Sequence, residues 1–322
     1  MKRFLPCTIT LLLLAACASG PVLPPDEVLK NAARTGQELL SARYSVEGSL
    51  NFTEVGVEKS ALFTMTGILQ NGGKQSSMVI NMKGSFPEAG QTYHLDGSME
   101  LFVTFNQEIY IKLGALEIDP EHPLLNAEAL AAFQGTWWKL QEDQMMGESV
   151  TPDPSLLNAQ SEVIRLVEDK GVETLDGRRA YHYRVTIDKE KLVQYLKRVS
   201  EEQGQPFDEA GTRTWAEQYE SDGEIWIDAE TFHVLKIQWN IKQSAQGSDP
   251  LDAKVTIRFS DFNQAPTITP PTDYQVFSPF LFLPNTNIIP DMNDAQLEEE
   301  LERAREQGLD STELWMEPPT LP

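Results

Sequence analysis

The chain has 322 residues and a formal net charge of −23 at pH 7, from 26 basic and 49 acidic side chains. This acidic excess argues against binding to nucleic acid, whose phosphates require basic patches, and against a body that lies flat on an anionic membrane. It is typical of solubility in an exported environment. With 40% hydrophobic and 9% aromatic residues, most of the chain is expected to fold around a core of ordinary size.

The first 25 residues predict an export signal followed by a lipid anchor. Two basic residues precede an apolar segment, residues 4–16, which has the length of a secretory signal core and is too short for an ordinary membrane span. The Leu-Ala-Ala tripeptide before Cys17 resembles the bacterial lipobox, in which the signal is cleaved before a cysteine that carries acyl chains. The resemblance implies a signal peptide over residues 1–16 and an acylated cysteine with a Pro-rich tether over residues 17–25.

An acylated Cys17 would anchor the protein to a membrane of the bacterial cell envelope, because several acyl chains on one residue are enough for stable insertion. The alternative is an ordinary signal peptide with an incidental cysteine. Cys7 leaves with the signal, so the mature chain would form no disulfide. Ala18, rather than Asp, follows the cysteine. By analogy with sorting in bacteria that have two membranes, this favours the outer membrane; otherwise the anchor lies in the outer leaflet of the cytoplasmic membrane.

The first predicted element is a helix over residues 26–42, opened by Asp26. From Tyr44 the apolar period changes to two, which predicts consecutive strands up to Leu113. The clearest alternation lies in residues 93–105, where the odd positions are mostly apolar and most even positions up to residue 100 are polar. Strands with one apolar face and short turns predict an antiparallel meander rather than a parallel sheet.

The second half of the chain again mixes helices and strands. The predicted helices lie at residues 122–133, 153–167, 189–202 and 294–307, and the predicted strands lie at residues 135–140, 181–187, 223–228, 233–241 and 253–259. Residues 204–220 are polar and show no clear period. The last segment, residues 276–322, is a Pro-rich acidic tail.

These elements predict an α+β fold: one strongly curved antiparallel sheet, a half-open β-barrel, with helices covering its concave face. Nothing between residues 113 and 178 has the composition of a linker. We therefore expect residues 26–275 to form one domain.

Side chains that could carry chemistry form no recognisable motif. The four histidines are far apart and match no metal-binding spacing, and the chain contains no nucleophile elbow, Walker loop or dinucleotide-binding fingerprint. Pairs of carboxylates carry no information in a chain with 49 acidic residues. The sequence therefore predicts a protein that is not an enzyme and has no catalytic residue, metal or cofactor.

The apolar faces of the predicted strands are rich in methionine and aromatic residues. Methionine is flexible and polarisable, which suits surfaces that accept variable apolar partners, although the same pattern is also typical of an ordinary sheet core. The candidates for a lipid-binding cavity are Phe52, Phe63, Met65, Met78, Ile80, Met82, Leu95, Met99, Leu101, Val103, Trp226, Leu235, Ile237 and Trp239.

The order of the elements and three short motifs resemble the LolA/LppX-type carriers of lipoproteins and lipids, especially the acylated LppX/LprG-like branch. The motifs are Trp-Trp-Lys at 137–139, Gly-Glu-Ile-Trp-Ile-Asp at 223–228 with Thr231 in the turn, and Phe-Ser-Asp-Phe at 259–262. The resemblance spans roughly residues 26–272. It implies a half-open barrel whose helix-covered concave side holds an apolar cavity for acyl chains, in proteins that move or present lipids between membranes.

Two functions remain open from the sequence. The first is a non-catalytic, membrane-anchored lipoprotein that binds or carries lipid acyl chains. The second is an envelope scaffold or sensor lipoprotein with a filled core, which binds a protein partner through its acidic surface or tail. A third possibility, an exported hydrolase, has no candidate residue.

Overall fold

The computed structural model describes residues 23–54, 57–88, 90–122, 130–131, 133–140, 163–202, 204–243 and 250–277, and more than half of these described residues lie in adjacent β-strands. All of these belong to one compact unit, Met1–Phe277. The predicted signal, anchor and tether up to residue 22 and the predicted helix at 294–307 lie outside the described residues. The domain boundary at residue 275 remains a prediction.

The described part of the chain contains three α-helices and twelve strands. The helices are α1 (Pro25–Gln37), α2 (Lys189–Glu202) and α3 (Glu209–Glu217). The strands are β1 (Ser41–Glu54), β2 (Val57–Gln70), β3 (Gln75–Glu88), β4 (Gln91–Val103), β5 (Ile109–Asp119), β6 (Trp137–Lys139), β7 (Ile164–Leu175), β8 (Arg178–Ile187), β9 (Tyr219–Asp228), β10 (Val234–Gln243), β11 (Leu251–Ser260) and β12 (Gln275–Val276).

All twelve strands belong to one sheet, in the order β12-β6-β5-β4-β3-β2-β1-β11-β10-β9-β8-β7. Every neighbouring pair is antiparallel except β12 with β6. Strands β12 and β7 form the two edges, so the curved sheet does not close into a barrel. The predicted α+β class and the curved antiparallel sheet are confirmed.

One face of the sheet, here called the inner face, holds the main core. It bears Tyr44, Leu69, Met78, Leu101 and Ile237, which belong to one cluster of buried apolar side chains. Other inner-face members of this cluster come from β8 and β9 at the far end of the sheet, so the core runs along most of its width. The opposite face is called the outer face.

Helix α1 packs on the inner face. Val28 and Ala32, one turn apart, are buried in the same core cluster. Its start suits a helix, because Pro25 needs no hydrogen-bond acceptor in the first turn and Asp26 and Glu27 complement the positive end of the helix dipole. By contrast, α2 and α3 pack on each other and are joined by ion pairs such as Lys197 with Glu209.

The first helix ends earlier than predicted. Residues up to Ala42 were expected to be helical, but α1 stops at Gln37 and β1 begins at Ser41. The reason is tertiary: the backbone N–H of Leu40 donates to the side chain of Asn263 at 2.7 Å, and Ala42 pairs with Leu69 across the sheet. These partners draw the segment into the sheet.

The predicted helix at 153–167 is wrong at its end, since residues 164–167 begin strand β7. Ile164 lies opposite Ile187, and Leu166 lies opposite Val185, so both apolar side chains reach the core through the sheet. Residues 153–162 lie outside the described part of the chain. Of the predicted helix at 122–133, the structure describes residues 130–131 as helical, and 123–129 are not described.

Two further segments differ from the sequence prediction. The unassigned stretch 204–220 contains α3, whose first turn is capped by Asp208 accepting a hydrogen bond from the Gly211 N–H at 2.9 Å. The alternation predicted up to residue 105 ends sooner, because β4 stops at Val103 and Phe105 lies past the strand, 55% exposed.

Candidate functional site

The register of β2, β3 and β4 brings most of the predicted cavity residues onto the inner face. Met65 lies opposite Ile80, and Ile80 lies opposite Met99; Phe63 lies opposite Met82. Residues directly opposite each other on neighbouring strands point to the same face. The candidates that the register places on the inner face are Phe52, Phe63, Met65, Met78, Ile80, Met82, Leu95, Met99, Leu101, Val103, Ile237 and Trp239.

Burial along this face is graded. Met78, near the end of the sheet that α1 covers, is 2% exposed, whereas Met82, four residues further along β3, is 44% exposed. Phe63, Met65, Ile80 and Met99 are half-buried. These four residues and Met82 are here called the open strip. It leaves flexible apolar side chains in contact with solvent, where a hydrocarbon could replace water.

Trp226 and Leu235 do not join the other candidates, because both lie on the outer face. They form a separate buried cluster with Ala180. Trp226 stacks on the His182 ring at 4.2 Å, and the Lys236 ammonium lies over its other side at 4.1 Å. These two candidates are therefore corrected: they line no part of the inner face.

The displacement of these two residues has a local cause. Strand β9 is apolar at three consecutive positions, 225–227, so alternation does not assign Trp226 to a face. On β10 a β-bulge between Val234 and Lys236 adds one residue to the strand. A bulge reverses the face of the bulged residue, and Leu235 therefore points away from Ile237.

Glycines beneath two aromatic rings shape the inner face. A Cβ atom on Gly67 would lie 2.5 Å from the Tyr44 ring, and one on Gly223 would lie 2.5 Å from the Trp239 ring. Each ring is carried by the residue directly opposite the glycine. Because glycine has no side chain, each ring lies against the backbone of the neighbouring strand, and both rings are buried in the core cluster.

A cavity of about 180 Å³ lies between α1 and the inner face. It is lined by Leu29, Lys30, Ala32, Ala33, Gly36, Leu39, Ile164, Ile225, Ile227, His233, Val234, Ile237, Phe259 and Phe262. Of the sequence candidates, only Ile237 is among them. Some of the others could have been found from the apolar side of α1 that bears Leu29, Ala33 and Gly36, and from the apolar odd positions of β9.

His233 is one of two residues in this lining with an ionisable side chain. Its ring stacks on Phe262 at 4.2 Å, and its Nδ1 atom is buried without a hydrogen-bond partner in the described structure. Burial, and then the positive charge of Arg178, lower the pKa of His233 below its usual range, although Asp228 opposes this shift. The imidazole is therefore neutral at pH 7.

Asp228 holds the turn that carries His233 into the cavity wall. Its Oδ1 atom accepts hydrogen bonds from the N–H of Glu230 and from the N–H and hydroxyl of Thr231, at 2.7–3.0 Å. Its Oδ2 atom pairs with the Arg178 guanidinium at 2.7 Å. This network gives the end of the Gly-Glu-Ile-Trp-Ile-Asp motif a structural role.

Two larger clefts have a different chemistry. An outer-face cleft of about 600 Å³ is lined partly by Arg43, Arg178 and Arg258 together with hydroxyl side chains. A cleft of about 630 Å³ at the far ends of β1 and β2 is lined mostly by polar residues. Of these three sites, the cavity under α1 has the most apolar wall.

The described residues contain no cluster of three or more metal-ligating side chains. In the same part of the chain, no helix combines the length and apolar character needed to span a bilayer.

No protein-family model matches the chain, and no curated protein matches it in sequence. Among solved structures, it is similar to Mycobacterium tuberculosis lipoprotein LppX, with 12% identity, 76% of this chain and 100% of that chain covered, and a TM-score of 0.35. It is also similar to a DUF1329 family protein from Desulfovibrio piger, with 12% identity, coverage of 74% and 92%, and a TM-score of 0.22. A putative outer membrane lipoprotein-sorting protein domain from Vibrio parahaemolyticus matches with 8% identity, coverage of 73% and 91%, and a TM-score of 0.20.

Proposed function

We propose that this protein is a non-catalytic lipoprotein of the bacterial cell envelope that binds or carries lipid acyl chains on the inner face of its sheet. The observation that supports this most directly is the cavity of about 180 Å³ under α1, with a wall that is mostly apolar. The open strip adds further apolar surface on the same face. Together they offer hydrocarbon an apolar cavity and additional, partly exposed apolar surface on the same face of the sheet.

The energetics favour such a ligand. Burial gains about 0.8 kcal/mol per methylene, so a chain of about 16 carbons would gain about 12 kcal/mol before the costs of ordering. An engineered cavity of about 150 Å³ binds benzene. The cavity under α1 is slightly larger and therefore suits a segment of one chain, while the rest of the chain would extend over apolar surface outside it.

The predicted anchor would hold this site close to a membrane. Leu23 follows Cys17 by six residues, a span of at most about 20 Å. Leu23 already packs against the core, and its N–H donates to the Tyr181 hydroxyl at 3.3 Å. Acylation of Cys17 would therefore place the cavity within a short distance of the lipids that supply its ligand.

Filling the cavity tests the proposal. Ala33 lines the cavity from a half-buried position of α1, so Ala33→Trp should insert a ring into the space that the acyl chain would use. We expect at least about a tenfold loss of affinity for a fluorescent fatty acid, equivalent to about 1.4 kcal/mol. The matched control is Gln37→Trp, an exposed position on the same helix outside the lining, which should bind as the wild type does.

Native mass spectrometry of the full chain provides a second readout, because lipid retained during purification should be lost from Ala33→Trp and kept by Gln37→Trp. If the wild type neither retains lipid nor takes up the fluorescent fatty acid, the proposal is wrong. Deleting residues 291–322 would then address the scaffold alternative. Loss of an envelope protein partner in that variant, with no lipid binding in the parent, would favour a scaffold.

A further inference from the structure

The cavity under α1 carries a single permanent charge in its wall. Twelve of its fourteen lining residues are apolar or glycine, and the others are Lys30 and His233. His233 is neutral at pH 7, as its burial requires. The Lys30 ammonium is therefore the only charge that a ligand in this cavity would meet on the lining side chains.

Lys30 lies at the mouth of the cavity rather than in its depth. Its side chain is exposed, whereas its neighbour Leu29 is half-buried and Ala32 is buried. A lysine in such a position can lay its aliphatic stem along apolar surface and keep its ammonium group in water. This geometry places a positive charge at the boundary between the hydrocarbon site and solvent.

The Lys30 ammonium makes no ion pair or hydrogen bond within the described residues, although Asp26 and Glu27 lie one turn earlier on the same helix. Many other lysines of this acidic protein are paired. Such pairs are Lys83 with Asp96, Lys112 with Glu100, Lys139 with Glu108, Lys170 with Glu224, Lys189 with Glu217 and Lys197 with Glu209. An unpaired ammonium at the mouth of an apolar cavity is thus available to a negatively charged ligand.

The size of the cavity restricts the hydrocarbon part of that ligand. A volume of about 180 Å³ is only slightly larger than the space of about 150 Å³ that accommodates one benzene ring. Two acyl chains side by side would not fit into it. The volume of the cavity therefore favours a lipid that inserts one chain.

We infer that the ligand is a single-chain amphiphile with an anionic head group, such as a long-chain carboxylate, and that Lys30 pairs with this head group while the chain enters the cavity under α1. This inference rests on the proposed function and specifies its ligand. The head group would stay in solvent, where the ion pair contributes modestly to affinity and mainly distinguishes charged from neutral lipids.

The test compares palmitate with its neutral methyl ester on the full chain, by competition against a fluorescent fatty acid. We expect the wild type to bind the acid about twofold to fivefold more tightly than the ester. Lys30→Gln should remove this difference by weakening the acid alone, and Lys30→Arg should restore it. Lys254→Gln, which changes an exposed lysine outside the cavity lining, is the matched control and should keep the preference.

The outcomes separate the inference from the function it rests on. If the wild type binds acid and ester equally, or if Lys30→Gln keeps the preference, the role of Lys30 is wrong while acyl-chain binding stands. If a two-chain phosphatidic acid competes as well as palmitate does, the single-chain part is wrong. If neither palmitate nor its ester binds, the proposed function itself fails.

Discussion

Asp228 shows how one buried side chain can organise the wall of the site. It is 2% exposed and accepts hydrogen bonds from two residues of the turn while it pairs with Arg178. Burial alone would raise the pKa of Asp228, but the hydrogen bonds from Thr231 and Glu230 and the charge of Arg178 outweigh it, and the pKa lies below its ordinary value. A lowered pKa means that the ionised carboxylate stabilises the folded state above its unfolded pKa, and that this stability is lost as pH falls through the folded pKa.

The Asp228→Asn variant should therefore be destabilised in a pH-dependent way. At pH 7 we expect it to lose about 2 kcal/mol of unfolding free energy, the usual contribution of hydrogen bonds to a charged group. The deficit relative to the wild type should shrink as pH falls below about 4, because the carboxylate of the unfolded wild-type chain protonates there before the folded one does. Urea unfolding at pH 7 and at about pH 3 measures both values.

The control for Asp228 is Asp222→Asn, which removes the exposed partner of Arg184. An exposed ion pair of this kind contributes about 0–1 kcal/mol, so this variant should stay close to the wild type at both pH values. An Asp228→Asn deficit that is equal at neutral and acidic pH would show that the charge of Asp228 is not what stabilises the turn.

Single residues of the site could be predicted from the sequence only where the alternation was unambiguous. Met65, Ile80 and Met99 lie in strands with a clear period of two, and the structure brings them together. Trp226 was not assignable because its neighbours on both sides are also apolar, and Leu235 was misplaced by a bulge that has no sequence signature. Lys30 was missed because a lysine on a helix surface looks ordinary until the cavity beside it is known.

At the scale of elements, α1 forms one wall of the cavity and is held by few anchors. Val28 is fully buried and Ala32 nearly so, and both contact the inner-face core. Much of its remaining surface faces solvent. A helix held by so few buried side chains should open more readily than the strands beneath it.

Shortening the side chain of Val28, the main anchor of α1, should therefore let this helix open before the strands beneath it do. We expect Val28→Ala to cost about 2 kcal/mol, from two lost methyl groups and the space they leave. Hydrogen exchange at the α1 amides should accelerate while the β1 amides stay protected. Leu62→Ala, at a 59% exposed outer-face position, is the control and should change stability by less than about 0.5 kcal/mol. If hydrogen exchange at the α1 amides did not change, Val28 would not be what holds α1 on the sheet.

Elements could be predicted where one period dominated. The strands from Tyr44 to Leu113 were found because their apolar residues alternate. Helix α2 was found because its apolar residues recur at helical spacing. The segment 164–167 was misread because its apolar residues Ile164, Leu166 and Val167 fit both a helical and a strand period, and the pairing of this segment with β8 decides between them. Helix α3 was not seen because its sequence is mostly polar and depends on the Asp208 cap and its contact with α2.

At the scale of the whole molecule, one strand pair joins two arms of the sheet. Strands β2 to β6 and β12 lie on one side of β1, and β10 to β7 lie on the other side of β11. The two seam strands pair from Arg43 with Ser260 to Phe52 with Leu251, about two hundred residues apart in sequence. Both arms therefore depend on a contact that forms between distant parts of the chain.

A proline in this seam should destabilise both arms together. Thr256 pairs with Glu47 on one side and with Gln238 on the other, so Thr256→Pro removes a ladder hydrogen bond from a central strand, at a cost of about 3 kcal/mol or more. Thr256→Ala keeps the backbone N–H and serves as the control. Hydrogen exchange should accelerate in β3–β4 and in β8–β9 alike. Full protection of either pair in the proline variant would show that the arms are independently stable.

The unpaired edges of the sheet have a mechanical consequence. In a closed barrel, strand number and stagger fix the diameter, so the interior cannot widen without breaking a ladder. Here β12 and β7 are not joined to each other. The curvature can therefore relax or tighten through small changes of twist spread over many strands, with every hydrogen bond kept. A bulkier ligand would be accommodated by elastic bending of the sheet rather than by breaking its hydrogen bonds, and releasing that ligand would need no unfolding step.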